Sequence, residues 1–187
     1  MAGFKSFFTR KKPYDPRDGN NYTITQDVIA FTVEVLKEYG AKKMAEEGLV
    51  YWAGKVNDNN FEITAAVAPK TEATRYGFKT SNASNAKFVE FICDNDLQYI
   101  AQVHSHPGKM VDHSIIDNEE TAFRSEGLVS IVVPLFGSTG MTPLTVCGIH
   151  RFTSGKFPRL GNKYIKRHFD IIKNNSYSAL LKDLRYE

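Results

Sequence analysis

The sequence predicts a mixed α/β domain, with helices packed against a sheet of about five or six strands. Three observations lead there. Segments with apolar residues at helical spacing alternate with short strand-like runs bounded by turn residues. Of the 187 residues, 42% are hydrophobic and 12% aromatic, enough for one core of ordinary size and too many for a disordered or fibrous chain. No internal repeat or low-complexity tract divides the chain.

Residues 1–22 are rich in Lys, Arg, Asp, Asn, Gly and Pro without periodicity, which predicts an N-terminal arm or loop. From Thr25 onward, Val28, Ile29, Phe31, Thr32, Val35, Leu36 and Tyr39 recur at helical spacing, with Thr25 placed to cap the first helix and Gly40 to stop it. Residues 48–55 and 61–68 read as two strands of an antiparallel hairpin around the turn NDNN, and Pro69 closes the second. A loop over residues 70–84 leads to a second helix whose Phe88, Val89, Phe91, Ile92 and Leu97 would face the core. A strand over residues 98–104, a third helix between Ser114 and Arg124, and strands over residues 128–134 and 144–152 follow. Tyr164, Ile165, Phe169 and Ile172 have helical spacing, so residues 161–187 read as a C-terminal helical extension to a main domain over residues 23–160.

Charge and composition exclude several classes of function. A formal charge of +3 and a pI near 8.7 are too mild to argue for a phosphate-binding surface, so nucleic acid is not expected as a partner. The longest apolar runs fall well short of the roughly 20 residues that span a bilayer, and no membrane is expected. The N-terminus mixes charges with aromatics and does not read as a secretory signal. Cys93 and Cys147 form no CxxC pair and read as small buried hydrophobes, which makes the cytoplasm the expected compartment.

One stretch, HSHPGKMVDHSIID from His104 to Asp117, carries chemistry. The two-residue period of a strand puts His104 and His106 on one side, where two imidazoles could share an ion. Pro107 and Gly108 end the strand, and a turn brings Asp117, about one helical turn in, back toward the histidines. Two nitrogens and a carboxylate oxygen make an incomplete tetrahedron, the arrangement by which catalytic zinc leaves a position for water. Iron also accepts two histidines and a carboxylate, usually with more positions open, so zinc is the favoured metal. Ser114 and Asp117 also match a helix capping box, which would account for that tetrapeptide alone but not for the paired histidines.

The pattern H-x-H, seven residues, S-x-x-D resembles the signature of the JAMM, or MPN-plus, zinc metalloproteases and is present here without substitution. The resemblance covers roughly residues 25–152 and implies a cytidine-deaminase-like JAB/MPN fold with a curved mixed sheet flanked by helices. It implies Zn²⁺ held by His104, His106 and Asp117, with Ser114 donating a hydrogen bond to the developing oxyanion. The family's general base is a glutamate about seven residues ahead of a glycine. Glu47 and Gly54 have that spacing, with Glu46 the alternative, although Tyr51 and Trp52 stand where relatives carry aliphatic residues. The implied activity is that of a deubiquitinase-like isopeptidase. It would cleave ubiquitin, or a ubiquitin-like protein with a C-terminal Gly-Gly tail, from conjugates, or process its precursor. The short chain looks like the prokaryotic stand-alone branch, whose partners include proteins of a modifier-conjugation system. The loop at residues 70–84 stands where relatives grip the modifier tail, and Tyr76 and Phe78 would either touch that tail or anchor the loop. The other readings are a non-catalytic modifier-binding scaffold of the same fold, a RadC-like DNA-associated protein and a hydrolase of small-molecule amides.

Overall fold

The apolar periods sort the chain into three helices and ten strands among the described residues of a computed structural model, which are residue 14 and residues 16–75, 77–114, 117–118, 121–173 and 178–187. In order these are β1 (Asn21–Thr25), α1 (Gln26–Gly40), β2 (Leu49–Asn57), β3 (Asn60–Ala68), β4 (Thr71–Thr74), β5 (Gly77–Thr80), α2 (Asn82–Asp94), β6 (Gln98–Ser105), β7 (Val129–Val133), β8 (Gly148–Arg151), α3 (Asn162–His168), β9 (Phe169–Ile172) and β10 (Leu180–Asp183). Eight strands form one curled mixed sheet in the order β8-β7-β6-β2-β3-β1-β9, with β10 also paired to β3, while β4 and β5 form a separate hairpin.

Both faces of the central strands are covered, which is why their sequences are almost continuously apolar. In β2, Val50 and Trp52 join the core under α1 with Val28, Val35 and Leu36, while Leu49 and Tyr51 point to the opposite side, toward Phe78 and the α2 residue Phe88. Trp52 buries its whole side chain because Nε1 donates to Thr32 Oγ1 at 2.8 Å, and that hydroxyl donates to Val28 O one turn back at 2.7 Å. Gly54 sits beside a register shift between β2 and β3, where a Cβ would lie 1.8 Å from the Glu62 carbonyl oxygen. Only glycine permits that approach.

Several elements differ from the sequence expectation. The arm does not extend to residue 22, because Asn21 and Tyr22 already belong to β1, which pairs in parallel with both β3 and β9. Tyr22 stacks between Phe61 and Phe169 at centroid distances of 4.7 and 4.3 Å. Residues 1–13 lie outside the described residues. The C-terminal segment is not a helical extension: helix α3 ends at His168, and β9 and β10 then join the main sheet. The i, i+3 spacing of Phe169 and Ile172 fits a helix, but β1 offers an open parallel edge that claims the backbone as strand. The loop over residues 70–84 contains the β4–β5 hairpin. Val89 of α2 is exposed, and Cys93 is exposed while Cys147 is buried, its thiol pushed up to about 12 by desolvation. In the predicted third helix, Asp117 and Asn118 are helical, Thr121 and the residues after it are not, and residues 115–116 and 119–120 lie outside the described set. Among the described residues, no helix is long and apolar enough to cross a membrane.

Candidate metal centre

The C-terminal end of β6 brings the site together. His104 is the penultimate residue of β6, opposite Leu49 of β2 and fully buried, and its ring lies 5.4 Å from that of Phe78. Phe78 is itself 2% exposed, so it anchors the hairpin instead of meeting solvent, and Tyr76 lies outside the described residues. His106 follows the last residue of β6, where its N–H still bonds to Val133 O at 2.9 Å. Its carbonyl accepts Phe136 N–H at 2.9 Å, and Gly108 O accepts Leu135 N–H at 3.0 Å. Leu135 and Phe136 both lie in the left-handed region, with φ of 54° and 53°, a conformation disfavoured by about 1–2 kcal/mol per residue. A strained turn therefore fixes the exit of the histidine-bearing strand.

His104, His106 and Asp117 each offer one atom to a group within 4.8 Å of one another, which could hold a metal ion. The two Nε2 atoms are 3.3 Å apart, His104 Nε2 is 3.4 Å from Asp117 Oδ1, and His106 Nε2 is 3.3 Å from Asp117 Oδ2. Each histidine thus faces a different oxygen of the Asp117 carboxylate, and the separations are of the size found between donor atoms around one small divalent cation, about 3.3 Å for a tetrahedral site. His106 Nδ1 donates to Met110 O at 3.0 Å, which leaves the Nε2 lone pair aimed at the centre. His104 Nδ1 is buried with no hydrogen-bond partner among the described residues.

Electrostatics point the same way. Burial raises the Asp117 carboxyl, but the two imidazoles facing it and the Ser114 N–H hold it far below the usual carboxylate range. Burial lowers His106, yet Asp117 and the nearby Glu47 charge hold it above the ordinary imidazole value.

Ser114 and Asp117 form a reciprocal capping pair, with Ser114 N–H donating to Asp117 Oδ2 at 2.6 Å and Asp117 N–H donating to Ser114 Oγ at 3.0 Å. The cap does not turn Asp117 away from the histidines, because the same carboxylate faces both. The Ser114 hydroxyl proton is not used by the cap, and the residue is exposed.

Glu47 lies just before β2 and is 3% exposed, its N–H bonded to Thr74 O of β4 at 2.7 Å. Gly48 bonds to Ser105, so continuing the antiparallel register places Glu47 opposite His106. Glu46, by contrast, is engaged by Lys42 at 2.6 Å.

No family model matches the chain. In sequence, the chain is similar to a probable metalloprotease. That protein, probable metalloprotease y4jG of Sinorhizobium fredii (strain NBRC 101917 / NGR234), is 26% identical over 123 residues, covering 64% of this chain and 74% of the relative. In fold, the chain is similar to the solution structure of protein DSY2949 from Desulfitobacterium hafniense. The TM-score is 0.59 at 13% identity, over 83% of this chain and 94% of that one. The named relative and the His104–His106–Asp117 group together support a metal-dependent peptidase.

Two further histidines gather behind the site. The His113 ring is 5.7 Å from that of His104, 4.4 Å from His150 and 4.7 Å from Phe157. Desolvation, with the neighbouring His150 and His104, pushes the His113 pKa down to about 2, so the ring is neutral. His150 lies with Nε2 3.0 Å from Val111 O and Nδ1 3.2 Å from Phe157 O, and a Cβ on Gly148 would lie 1.7 Å from the Val111 oxygen. Strand β8 thus holds the returning loop tightly against the sheet. Sequence reasoning passed over both residues, although His113 directly precedes Ser114 within the motif.

Proposed function

We propose that this chain is a zinc-dependent isopeptidase or peptidase of the JAMM type, built on a JAB/MPN fold. Its substrate is a ubiquitin-like modifier with a C-terminal Gly-Gly tail, cleaved from conjugates or from its own precursor. The observation that carries the reading is the triad itself, in which the H-x-H, seven-residue, S-x-x-D spacing meets donor atoms set 3.3–3.4 Å apart, with Glu47 buried beside them.

Bound by His104, His106 and Asp117, zinc would supply Lewis acidity toward a carbonyl oxygen and toward water. The chain's own residues do the rest. Glu47 takes a proton from the attacking water as its oxygen bonds to the amide carbon, and returns that proton to the amine as the C–N bond breaks. Ser114 donates its hydroxyl proton to the tetrahedral oxyanion. The β4–β5 hairpin, paired among the described residues with no further strand, offers backbone groups to an extended tail, and Thr74 O ties it directly to Glu47.

The test is release from a linear fusion of a small Gly-Gly-ending modifier, with and without chelator, by the parent and by Glu47→Gln. The parent cleaves only with metal, and Glu47→Gln retains zinc while losing at least about a hundredfold in turnover. Cleavage by Glu47→Gln at the parent rate removes the assigned base. Zinc binding with no cleavage of any fusion supports the scaffold reading instead.

A further inference from the structure

Gln102 lies two residues before His104 on β6 and is 1% exposed. In the parallel register its partner on β7 is Ser130, whose partner on β8 is His150, so a polar row crosses three strands of an otherwise apolar sheet. Gln102 Nε2 donates to Thr121 Oγ1 at 3.0 Å and to Ser130 Oγ at 3.1 Å. Thr121 Oγ1 donates to the Asp117 carbonyl at 2.8 Å. Ser130 Oγ and His113 Nε2 are 2.8 Å apart, His113 Nδ1 and Asn118 Oδ1 are 3.2 Å apart, and Asn118 Nδ2 donates to the Ser114 carbonyl at 3.0 Å.

One assignment of protons satisfies all six bonds. Both hydroxyls accept from the Gln102 amide, so the Thr121 proton points to Asp117 O and the Ser130 proton to His113 Nε2. His113 then carries its proton on Nδ1 and donates it to Asn118, whose amide group donates onward to Ser114 O. Turning the Gln102 amide over would consume both hydroxyl protons and leave the Asp117 carbonyl and His113 Nε2 without donors. The network is therefore directional and divides at Gln102 into two branches.

We propose that Gln102 is a positioning residue whose two branches set different parts of the site: Thr121 aligns the metal ligand Asp117, and Ser130 with His113 aligns Ser114. The inference rests on the metal-site reading above. Groups that orient ligands from outside the coordination sphere typically change metal affinity about 10- to 100-fold when removed.

The branches can be cut separately. Thr121→Val keeps the side-chain shape and removes the hydroxyl, and Ser130→Ala removes the donor to His113. Three quantities are read for the parent and both variants: the zinc dissociation constant by competition with a chromogenic chelator, metal-free thermal unfolding, and amide hydrogen exchange over residues 113–121. Thr121→Val raises the zinc dissociation constant about tenfold. Ser130→Ala leaves it within about twofold of the parent and speeds exchange of the Asp117 N–H, which the Ser114 hydroxyl accepts. Equal changes in zinc affinity in both variants, tracking only their loss of thermal stability, overturn the proposal by making the network a general packing feature. A parent zinc constant retained by Thr121→Val overturns it as well. Both outcomes are independent of whether the parent cleaves a Gly-Gly fusion, so they are distinct from failure of the peptidase reading.

Discussion

Gly48 donates its N–H to Ser105 Oγ at 3.0 Å and accepts the Ser105 N–H at 3.1 Å, so the residue between the two ligand-side histidines clasps the residue after Glu47. Ser105 is fully buried, and its hydroxyl extends the β2–β6 ladder where regular pairing ends. The clasp sets the distance between the buried carboxylate and the histidine pair. Ser105→Ala leaves the Gly48 N–H buried without its acceptor, at a cost of about 1–3 kcal/mol. Urea unfolding should show that loss. Turnover should fall more steeply than zinc affinity, because Glu47 moves while the ligands stay. A variant as stable as the parent would show that the clasp does not hold this edge.

Zinc should stabilise the fold through the same three side chains. A ligand that binds only the folded state at about 1,000 times its dissociation constant adds about 4 kcal/mol. Thermal unfolding of the metal-free parent should therefore rise on adding zinc, and the rise should vanish in His104→Gln. Persistence of the full shift in that variant would place the ion elsewhere.

The His104–His106–Asp117 grouping was legible because the strand period fixes which side chains share a face, and it carries from His104 in β6 to His106 just beyond its end. Asp117 was legible in two ways at once, as part of a cap with Ser114 and as a carboxylate turned toward the histidines, and the geometry shows both contacts. The paths from Gln102 to Ser114 and Asp117 were not legible. They depend on the β6–β7 register that sets Gln102 beside Ser130, residues 28 apart in the chain, and no local period carries that information. Strands β9 and β10 were hidden for a related reason. Their residues suit a helix locally, but β1 and the end of β3 supply the backbone partners that make them strands. Strand β1 lay concealed in a polar segment, where only Tyr22 and Ile24 mark its buried side.

Gly54 gives a stability prediction independent of metal. A methyl group there would press on the Glu62 backbone, which the β2–β3 pairing prevents from retreating. Gly54→Ala should destabilise the fold by about 3 kcal/mol, seen as a lower urea midpoint with an unchanged slope. An unaltered midpoint would mean that the two strands can separate locally at little cost.

The Asp18–Arg151 pair ties the segment before β1 to β8 and gives the protein a definable acid sensitivity. Arg151 is 7% exposed, and Asp18 also accepts from Tyr164 at 3.1 Å and from the Asn20 N–H at 3.2 Å. Burial raises the Asp18 carboxyl, but the hydrogen bond from Arg151, the Asn20 N–H, the Arg151 charge and Tyr164 outweigh it and hold the group below its ordinary 3.8. A carboxyl depressed in the folded state contributes stability that is fully present above its unfolded value and is lost as pH falls through the folded one. Asp18→Asn should therefore be less stable than the parent at neutral pH, by about 1–3 kcal/mol, because it leaves a buried guanidinium without its counter-charge. The difference should shrink as the medium is taken below the ordinary carboxyl value, since protonation of Asp18 puts the parent in the variant's position. Urea titrations of both proteins at neutral pH and at about pH 2 measure it. A gap of constant size at both would assign the loss to shape or packing and not to charge.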